Sequence, residues 1–195
     1  MDEWTRVPDL VGDHVRLTAL RPEHADALVA AADDDEVFRW LTYRRPTDRA
    51  AMSAVIDLML SRTPQQLAWT QVDQRTGDPV GVTTYYEIDP AQRSLAIGWT
   101  WLGSRAWRTG INTEAKLLLL TRAFETLGCV RVVWHTDHRN ERSQAAIERL
   151  GATFEGSMRK HKQRPDGSWR DTFTYSMLDD EWPDAKARLV ERLAR

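Results

Sequence analysis

The feature that most constrains the fold is a long helical segment with a strand-like segment on each side. Within residues 105–127, apolar side chains recur at helical spacing, which predicts a helix with one buried face. The recurring residues are Leu117, Leu120, Ala123, Phe124 and Leu127. Residues 93–102 before the helix and 130–136 after it have the apolar character of strands. A strand, a helix and a strand form a crossover, which places the two strands side by side and parallel.

The start of this helix has the features of an anion-binding site. Arg105 and Arg108 stand before Gly110, whose missing side chain permits a tight bend or the close approach of a ligand. Glu114 adds negative charge to the first turn. Helix-capping residue types occur at Thr109, Asn112 and Thr113. Unpaired amides at a helix start attract anions, and two neighbouring arginines favour phosphate. A capped core helix explains the same residues without a ligand, so the motif is weak by itself.

The rest of the chain alternates between helical and strand-like periodicity. The predicted strands cover residues 14–20, 67–73, 80–88, 93–102, 130–136, 152–157 and 171–178. The predicted helices cover residues 21–32, 37–42, 47–62, 139–150 and 181–195, in addition to the helix described above. Residues 1–13 are expected to be an irregular lead-in, and 159–167 a basic hairpin with an Asp-Gly turn. We expect one domain over residues 1–195, with the terminal helix 181–195 as an appendage.

The composition excludes several classes of protein. Of 195 residues, 42% are hydrophobic and 29% charged, which is typical of a soluble protein with a core. The net charge of −2 argues against general nucleic-acid affinity. No apolar run approaches the length of a membrane span and no signal-peptide core is present, so a cytoplasmic location is expected. The single cysteine, Cys129, excludes an internal disulfide and a cysteine-based zinc site, and no metal site is predicted.

The order of elements and several motifs resemble the GNAT acetyltransferase superfamily, and within it the RimJ/RimL type of ribosomal-protein N-terminal acetyltransferases. The similar segments cover about residues 10–183. They are LVGDHVRLTALRPEHADAL, AIGWTWL, WRTGINTEAKLLLLTRAFETLG, RNERSQAAIERLGATFEG and RDTFTYSMLDDEW. The resemblance implies an α/β (α+β) fold with a mixed, mostly antiparallel, twisted sheet of about seven strands. It also implies helices on both faces and a central parallel pair.

The resemblance further implies acyl transfer from acetyl-CoA, or another acyl-CoA such as succinyl-CoA, to an amine. It assigns pyrophosphate binding to Arg108, Thr109, Gly110, Ile111, Asn112 and Thr113. A backbone amide within the stretch from Trp99 to Trp101 would bind the thioester oxygen, so Trp99 and Trp101 are cofactor-binding candidates and Trp101 also a catalytic one. Asn140 would bind the cofactor, and Ser143 would also contact it and assist the leaving thiolate as a catalytic residue. Without the family, Asn140 would be interpreted as a helix cap and Ser143 as a surface serine.

Three positions depart from the family pattern. The phosphate loop usually begins with Gln or Arg and ends with Gly or Ala, where this chain has Trp107 and Asn112. The meander often carries a glutamate base at the place of Ala96. Other candidates for the base occur on or after predicted strands, and no choice is made among them. They are Glu87, Asp89, His135 and Asp137.

The functional hypotheses differ in class. The leading one is an N-acyltransferase acting on a protein N-terminus or a small-molecule amine. A non-catalytic acyl-CoA-binding module and a structural protein of the same fold are the alternatives. The acidic run 33–36 is expected to be a solvated turn, with an acidic lip that attracts an amine as the alternative. Basic hairpin residues Arg159, Lys160 and Arg164 would suit a carboxylated acyl chain, although a solvated hairpin is the simpler interpretation. A homodimer through the hairpin and closing strands is a further hypothesis.

Overall fold

The computed structural model describes residues 3–164 and 166–194, so Pro165 of the predicted hairpin, the first two residues of the predicted lead-in and Arg195 of the predicted terminal helix lie outside it. The strands are β1 (Leu10–Val11), β2 (Val15–Ala19), β3 (Gln66–Asp73), β4 (Pro79–Asp89), β5 (Ser94–Leu102), β6 (Arg131–Asp137), β7 (Thr153–Gln163) and β8 (Trp169–Leu178). The helices are α1 (Ala25–Ala31), α2 (Asp35–Phe38), α3 (Arg49–Leu60), α4 (Ile111–Thr121), α5 (Glu141–Glu148) and α6 (Trp182–Leu193).

The eight strands form one sheet in the order β1-β2-β3-β4-β5-β6-β8-β7. Strands β5 and β6 pair in parallel, and the other neighbours pair antiparallel. The predicted mixed sheet with a central parallel pair is therefore confirmed. The strand beyond the predicted seven is β1, which lies within the predicted irregular lead-in and pairs with β2.

Helices cover both faces of the sheet, as the family resemblance implied. Helices α4, α5 and α6 share one core with side chains such as Trp69, Tyr85 and Trp134. Helices α1, α2 and α3 share a second core with Val82 and Trp101 from the opposite face. The predicted stripe of α4 is buried except at Leu117, which is only partly buried at the edge of the first core. Helix α6 packs Trp182, Ala185 and Leu189 into that same core.

Two elements are longer or wider than their sequence pattern predicted. The hairpin of β7 and β8 continues as paired strand to Gln163 and Trp169, beyond the predicted strand ends. Helix α4 widens at its end into a π-turn over Arg122–Thr126. There the buried Arg122 donates to the backbone oxygen of Glu3 at 2.7 Å, which ties the N-terminal turn to the helix end. None of the described helices has the length and apolar content to cross a membrane.

Candidate active site

Strands β5 and β6 separate into a cleft after a short paired stretch. Their parallel pairing ends at Ala96 and Val133, although both strands continue beyond those residues. The side chain of His135 on β6 lies on the same sheet face as Tyr86 on β4, and the two are 3.1 Å apart. Backbone groups that face a cleft of this kind are free to bind a ligand instead of a neighbouring strand.

A β-bulge at Trp99 stands on the β5 wall of this cleft. The register with β4 shifts between Val82 and Thr84, so that Trp99 and Thr100 both lie opposite Thr83. Trp99 has a φ of 49°, a left-handed conformation that is uncommon for a bulky side chain. Backbone strain of this kind concentrates at functional sites, and bulges are frequent beside active sites.

A buried polar group supports this bulge from the α4 side. Lys116 of α4 donates to the hydroxyl oxygens of Thr100 at 2.7 Å and Thr83 at 3.0 Å. Burial lowers the pKa of Lys116 to about 7, and no carboxylate pairs with it among the described residues. On the same face, Gln71 donates to the carbonyl oxygen of Trp101 at 3.2 Å. The Trp101 side chain is buried in the second core, so a catalytic role for Trp101 falls to its backbone.

The sequence interpretation missed Lys116, although a signal was present. Lys116 lies one helical turn before Leu120 and therefore on the predicted buried face. A lysine inside an apolar stripe is a candidate for a buried, hydrogen-bonded amine.

The turn before α4, residues 105–113, presents several free backbone donors. It is called the α4 turn below. Among residues 3–164 and 166–194, no acceptor is hydrogen-bonded to the amides of Arg108, Thr109, Gly110, Asn112 and Thr113. Arg108 has a φ of 61°, again left-handed. The Thr109 hydroxyl donates to the Ala106 carbonyl at 2.7 Å and fixes the curvature of the turn. Successive free amides at a helix start form a concave site for an anion.

Gly110 is required by its protein neighbour and not only by a ligand. A Cβ at this position would lie 2.8 Å from the ring of His14, and the backbone of Gly110 is in the ordinary right-handed region. Glu114 also has a different role from the predicted first-turn charge. Its buried carboxylate accepts the backbone amides of Asp13, His14 and Val15 at 2.8, 2.6 and 2.8 Å. The β1–β2 turn therefore holds the α4 turn in place.

The first turn of α5 lies across the cleft from the α4 turn. Asn140 caps α5, because its side-chain oxygen accepts the amide of Ser143 at 3.1 Å. The Ser143 hydroxyl is partly buried and makes no hydrogen bond to another described residue. The guanidinium of Arg142 stacks on the Trp107 ring, 3.7 Å from its centroid. The structure thus brings the predicted α4 and α5 site residues to one cleft.

An open pocket of about 340 Å³ lies at the bulge, on the sheet face opposite α4. We call it the β4–β5 pocket. It is lined by Arg62, Gln65, Gln66, Tyr86, Glu87, Trp99 and Lys162. At its edge, His135 lies 3.7 Å from the Glu87 carboxylate. Burial lowers the pKa of His135, against the opposing effect of Glu87, so the neutral imidazole is favoured.

Comparison with known proteins agrees with this geometry. The family model described as the acetyltransferase (GNAT) domain matches residues 14–153. The chain belongs to the GNAT acetyltransferase family. The chain is 27% identical to a curated Bacillus subtilis relative over 90% of this chain and 97% of that protein. That relative is called "Putative ribosomal N-acetyltransferase YdaF". The family recognised from the motifs, including its RimJ/RimL-like character, is confirmed.

Solved structures of GNAT proteins share the fold. A GCN5-related N-acetyltransferase from Brucella melitensis is 32% identical, covers 96% of this chain and 86% of its own, and has a TM-score of 0.92. The structure of Mycobacterium smegmatis RimJ in complex with CoA-disulfide is 22% identical, with 97% and 96% coverage and a TM-score of 0.79. GNAT acetyltransferases use acetyl-CoA, and this chain is an enzyme of the N-acetyltransferase type.

Within this GNAT chain, the structure narrows the candidates for a base. Asp137 is buried and accepts from Arg164 at 2.7 and 2.8 Å, and these hydrogen bonds help to lower the pKa of its carboxyl against the effect of burial. Asp89 accepts the amide of Gln92 in the β4–β5 turn. Glu87 and His135 are the two predicted candidates that border the β4–β5 pocket.

The acidic run 33–36 is engaged in local structure. Asp33 accepts from the amide and hydroxyl of Ser104, each at 2.8 Å, while Asp34 caps α2. Asp35 pairs with Arg45 at 2.6 Å. Glu36 pairs with Arg39 at 3.3 Å. These contacts favour the predicted solvated turn over the acidic lip.

In the basic hairpin, Arg164 forms an ion pair with Asp137, and the side chain that lines the β4–β5 pocket is that of Lys162.

Proposed function

We propose that this protein transfers an acetyl group from acetyl-CoA to a primary amine by direct attack within a ternary complex. The observation that carries the proposal is the meeting of three features at one cleft. They are the free amides of the α4 turn, the strained bulge at Trp99 and the unpaired hydroxyl of Ser143. Family membership supports the reaction type, and the geometry supports the assignment of roles.

The residues of the cleft fit acetyl-CoA. The pyrophosphate would accept hydrogen bonds from the free amides of Arg108, Thr109, Gly110, Asn112 and Thr113, whereas the Ile111 amide, which was also predicted to bind it, donates to the Thr109 hydroxyl at 3.3 Å. The Arg142 guanidinium, which stacks on the Trp107 ring, would supply positive charge beside the α4 turn where the family has Gln or Arg in place of Trp107. The Trp107 indole donates to the Leu102 carbonyl at 2.9 Å, which anchors this stack to the end of β5. Asn140 keeps its amide nitrogen for the pantetheine arm, since the cap uses its oxygen.

Acetyl-CoA would supply a thioester whose carbonyl carbon accepts the amine. A backbone amide between Trp99 and Trp101, at the bulge on β5, would donate to the thioester oxygen as negative charge develops there. Ser143 would donate a hydrogen bond from its hydroxyl to the leaving thiolate sulfur. The amine has to lose a proton, and Glu87 and His135 lie beside the pocket that would hold it. The chain's own contribution is therefore orientation and charge stabilisation.

The names of relatives favour a protein N-terminus as the acceptor, whereas the small pocket suits a small-molecule amine equally well. The acyl group is acetyl in this proposal, with succinyl as the second candidate. The protein would act in the cytoplasm without binding nucleic acid or membranes. Residues 1–195 would act as one acyltransferase domain with helix 181–195 appended.

We also propose a homodimer that forms through β7. This strand lies at the edge of the sheet, where unpaired backbone groups are open to a second copy. The hairpin exposes the large apolar side chains of Phe154, Met158 and Trp169. Exposed apolar side chains along an open sheet edge favour an interface between two copies. Light scattering of the wild type and of F154E would test it, and a monomeric wild type would contradict it.

The first test is a calorimetric titration with acetyl-CoA, succinyl-CoA and free CoA, followed by measurement of CoA release with a panel of amines. One-to-one binding of acetyl-CoA and amine-dependent release of CoA would support the proposal. Tighter binding of succinyl-CoA would change the acyl group. Binding without release for any amine would favour a non-catalytic acyl-CoA-binding module. Absence of binding would show that the GNAT fold serves another role here.

A further inference from the structure

The β4–β5 pocket carries more positive than negative charge. Arg62 and Lys162 line it, and neither forms an ion pair with a carboxylate among the described residues. The one carboxylate in the lining is Glu87, which lies beside His135. A further cation, Arg170 on β8, stands close by, since its charge acts on the pKa of His135. An uncompensated positive pocket attracts anions.

The two cations come from opposite sides of the pocket and are positioned differently. Arg62 follows α3, and its guanidinium lies 5.0 Å from the centroid of the Trp99 ring. This cation–π contact holds Arg62 beside the bulge. Lys162 comes from β7, directly after the irregularity between Met158 and Lys162. A group bound between Arg62 and Lys162 would therefore lie over Trp99.

A third donor in the pocket wall lacks an acceptor. Gln66 is 3% exposed, and its side-chain nitrogen is buried without a hydrogen-bond partner among residues 3–164 and 166–194. Its side-chain oxygen is 3.5 Å from Arg62. A buried donor without an acceptor is unfavourable by itself and rare in folded proteins. A ligand carboxylate bound at this part of the wall would supply the missing acceptor.

The opposite side of the same pocket suits an amine. Glu87 has a left-handed φ of 49° and lies 3.7 Å from His135, whose neutral form can take up a proton. Tyr86 closes the floor, because Gly98 has no side chain and the Tyr86 ring lies over it. The pocket therefore offers a proton acceptor at one end and the Arg62 and Gln66 donors at the other, while the Lys162 ammonium lies near enough to His135 to help lower its pKa. Its volume of about 340 Å³ limits the distance between the two ends.

We infer that the acceptor is an amine that carries a carboxylate a few bonds from the nucleophilic nitrogen, with the carboxylate bound by Arg62, Lys162 and Gln66. This inference rests on the proposed acetyl transfer and names the substrate class for it. It is opposite in charge to the acidic lip that was the alternative interpretation of residues 33–36, since the cations Arg62 and Lys162 outnumber the one carboxylate, Glu87, in the lining of this pocket. Free amino acids and peptides that begin with Asp or Glu share this chemistry.

The test measures CoA release with acceptors offered in pairs, each as its carboxylate and as the matching carboxamide. The pairs preserve size and nucleophile and differ in charge. Because charge-assisted hydrogen bonds are strong, the carboxylate of each pair should have a kcat/KM at least about tenfold higher. Equal values for the two members would overturn the inference while leaving the acetyl transfer intact. No release with either member would instead count against the proposed function.

Variants of the pocket test whether Arg62 and Lys162 produce the preference for the carboxylate. R62Q and K162Q should each raise the KM for the carboxylate about tenfold and reduce its advantage over the carboxamide, with kcat little changed. R49Q is the matched control, since Arg49 starts α3, pairs with Asp26 and does not line the pocket. Retention of the full carboxylate preference in R62Q and in K162Q would overturn the inference, even if both variants fold normally.

A second comparison distinguishes the two sources of the carboxylate. A neighbouring pocket of about 320 Å³ lies between the segment after α2 and the β7–β8 hairpin, and Arg44 lines it. A peptide acceptor would extend past the β4–β5 pocket, whereas a free amino acid would not. R44Q should therefore raise the KM for an acidic peptide and leave that of a free amino acid unchanged. Either source supports the inference if the preference for the carboxylate depends on Arg62.

Discussion

The two sides of the cleft are built on different principles. On the cofactor side, the α4 turn offers backbone amides from one continuous stretch of chain, and Glu114 and His14 hold it against the β1–β2 turn. On the proposed acceptor side, the β4–β5 pocket is assembled from side chains of four strands and of the loop between α3 and β3. Backbone donors bind any pyrophosphate in the same way, whereas side chains can change with the acceptor. If the two regions have the proposed roles, the fold itself determines the cofactor, and a few exchangeable side chains determine the acceptor.

The bulge at Trp99 joins the two sides. Its backbone belongs to the proposed site of the thioester oxygen, while its ring lines the pocket and carries Arg62. Lys116 and Gln71 support it from the α4 face through Thr83, Thr100 and the Trp101 carbonyl. Substitutions that affect one side and spare the other would show that the two sides are independent, whereas substitutions that affect both would show that they are coupled through the bulge.

The largest effect is expected for Glu114→Ala. The change leaves the amides of Asp13, His14 and Val15 without their acceptor, and about 3–5 kcal/mol of unfolding free energy should be lost. Acetyl-CoA binding should weaken with it, because the α4 turn loses its support. Urea unfolding and calorimetry measure the two effects.

Glu141→Ala is the matched control, since Glu141 is also a first-turn glutamate but is exposed. It should change stability by less than about 1 kcal/mol. Similar losses of unfolding free energy for the two variants would show that the hydrogen bonds from the β1–β2 turn to Glu114 contribute little to stability. An unchanged affinity of Glu114→Ala for acetyl-CoA would show that cofactor binding does not depend on the hydrogen bonds between Glu114 and the β1–β2 turn.

The next largest effect is a pH dependence of the free energy of unfolding that arises from Lys116, beside the bulge. Lys116 has a pKa of about 7 in the folded protein, because burial disfavours its charge. In the unfolded chain the pKa is about 10.4, so between these values the unfolded state binds the proton and is favoured. Burial of Lys116 therefore costs no stability above the pKa of the unfolded chain, where the amine is neutral in both states. The free energy of unfolding then decreases as the pH falls towards 7.

Lys116→Met should accordingly be more stable than the wild type at pH 7, with an advantage about 2–3 kcal/mol smaller at pH 9.5. Thr83 and Thr100 stay satisfied, since their hydroxyls lie 2.8 Å apart. Lys186→Met, which removes a partly exposed lysine paired with Glu125, should show no such trend. A constant difference between pH 7 and 9.5 would mean that Lys116 stays charged in the folded state.

The outcome for α4 shows what sequence can and cannot predict. The helix, its neighbouring strands and their parallel pairing follow from local periodicity and chain connectivity. The free amides of the α4 turn follow from the same logic, since every helix start leaves amides unpaired. The role of Glu114 does not follow, because its three partners lie about a hundred residues away in the chain and its spacing is that of an ordinary first-turn residue.

The acceptor side was less predictable for a similar reason. Nothing in AIGWTWL distinguishes the bulge at Trp99 from regular strand, since the irregularity depends on the register with β4. Arg62 and Lys162 are a hundred residues apart and belong to segments interpreted as a helix end and a solvated hairpin. The acidic run 33–36 drew attention in the sequence because a sequence does not show whether a carboxylate is free or paired. In the structure, Asp35 and Glu36 are paired with nearby arginines.

Ser143→Ala tests the proposed stabilisation of the leaving thiolate rather than the binding of acetyl-CoA or of the acceptor. Turnover should fall about 10–100-fold, because the leaving thiolate loses its proposed hydrogen-bond donor. Acetyl-CoA affinity should stay nearly constant, since the Asn140 cap uses the backbone amide of residue 143 and not its hydroxyl. Steady-state CoA release and calorimetry separate the two quantities. Ser53→Ala, on α3, is the control, and equal turnover in both variants would remove Ser143 from the mechanism.

The smallest effect concerns the contact between Gly110 and His14. A Cβ at Gly110 would lie 2.8–3.0 Å from three atoms of the His14 ring, so Gly110→Ala must push the ring or the α4 turn aside. A displaced turn should raise the Kd of acetyl-CoA up to about tenfold. If the crowding is the cause, the double variant Gly110→Ala with His14→Ala should recover most of the affinity, because the space is then free. His14→Ala alone should bind acetyl-CoA normally. A double variant as weak as Gly110→Ala would instead place the methyl group in the path of the pyrophosphate, and the cofactor side would then depend on this glycine directly.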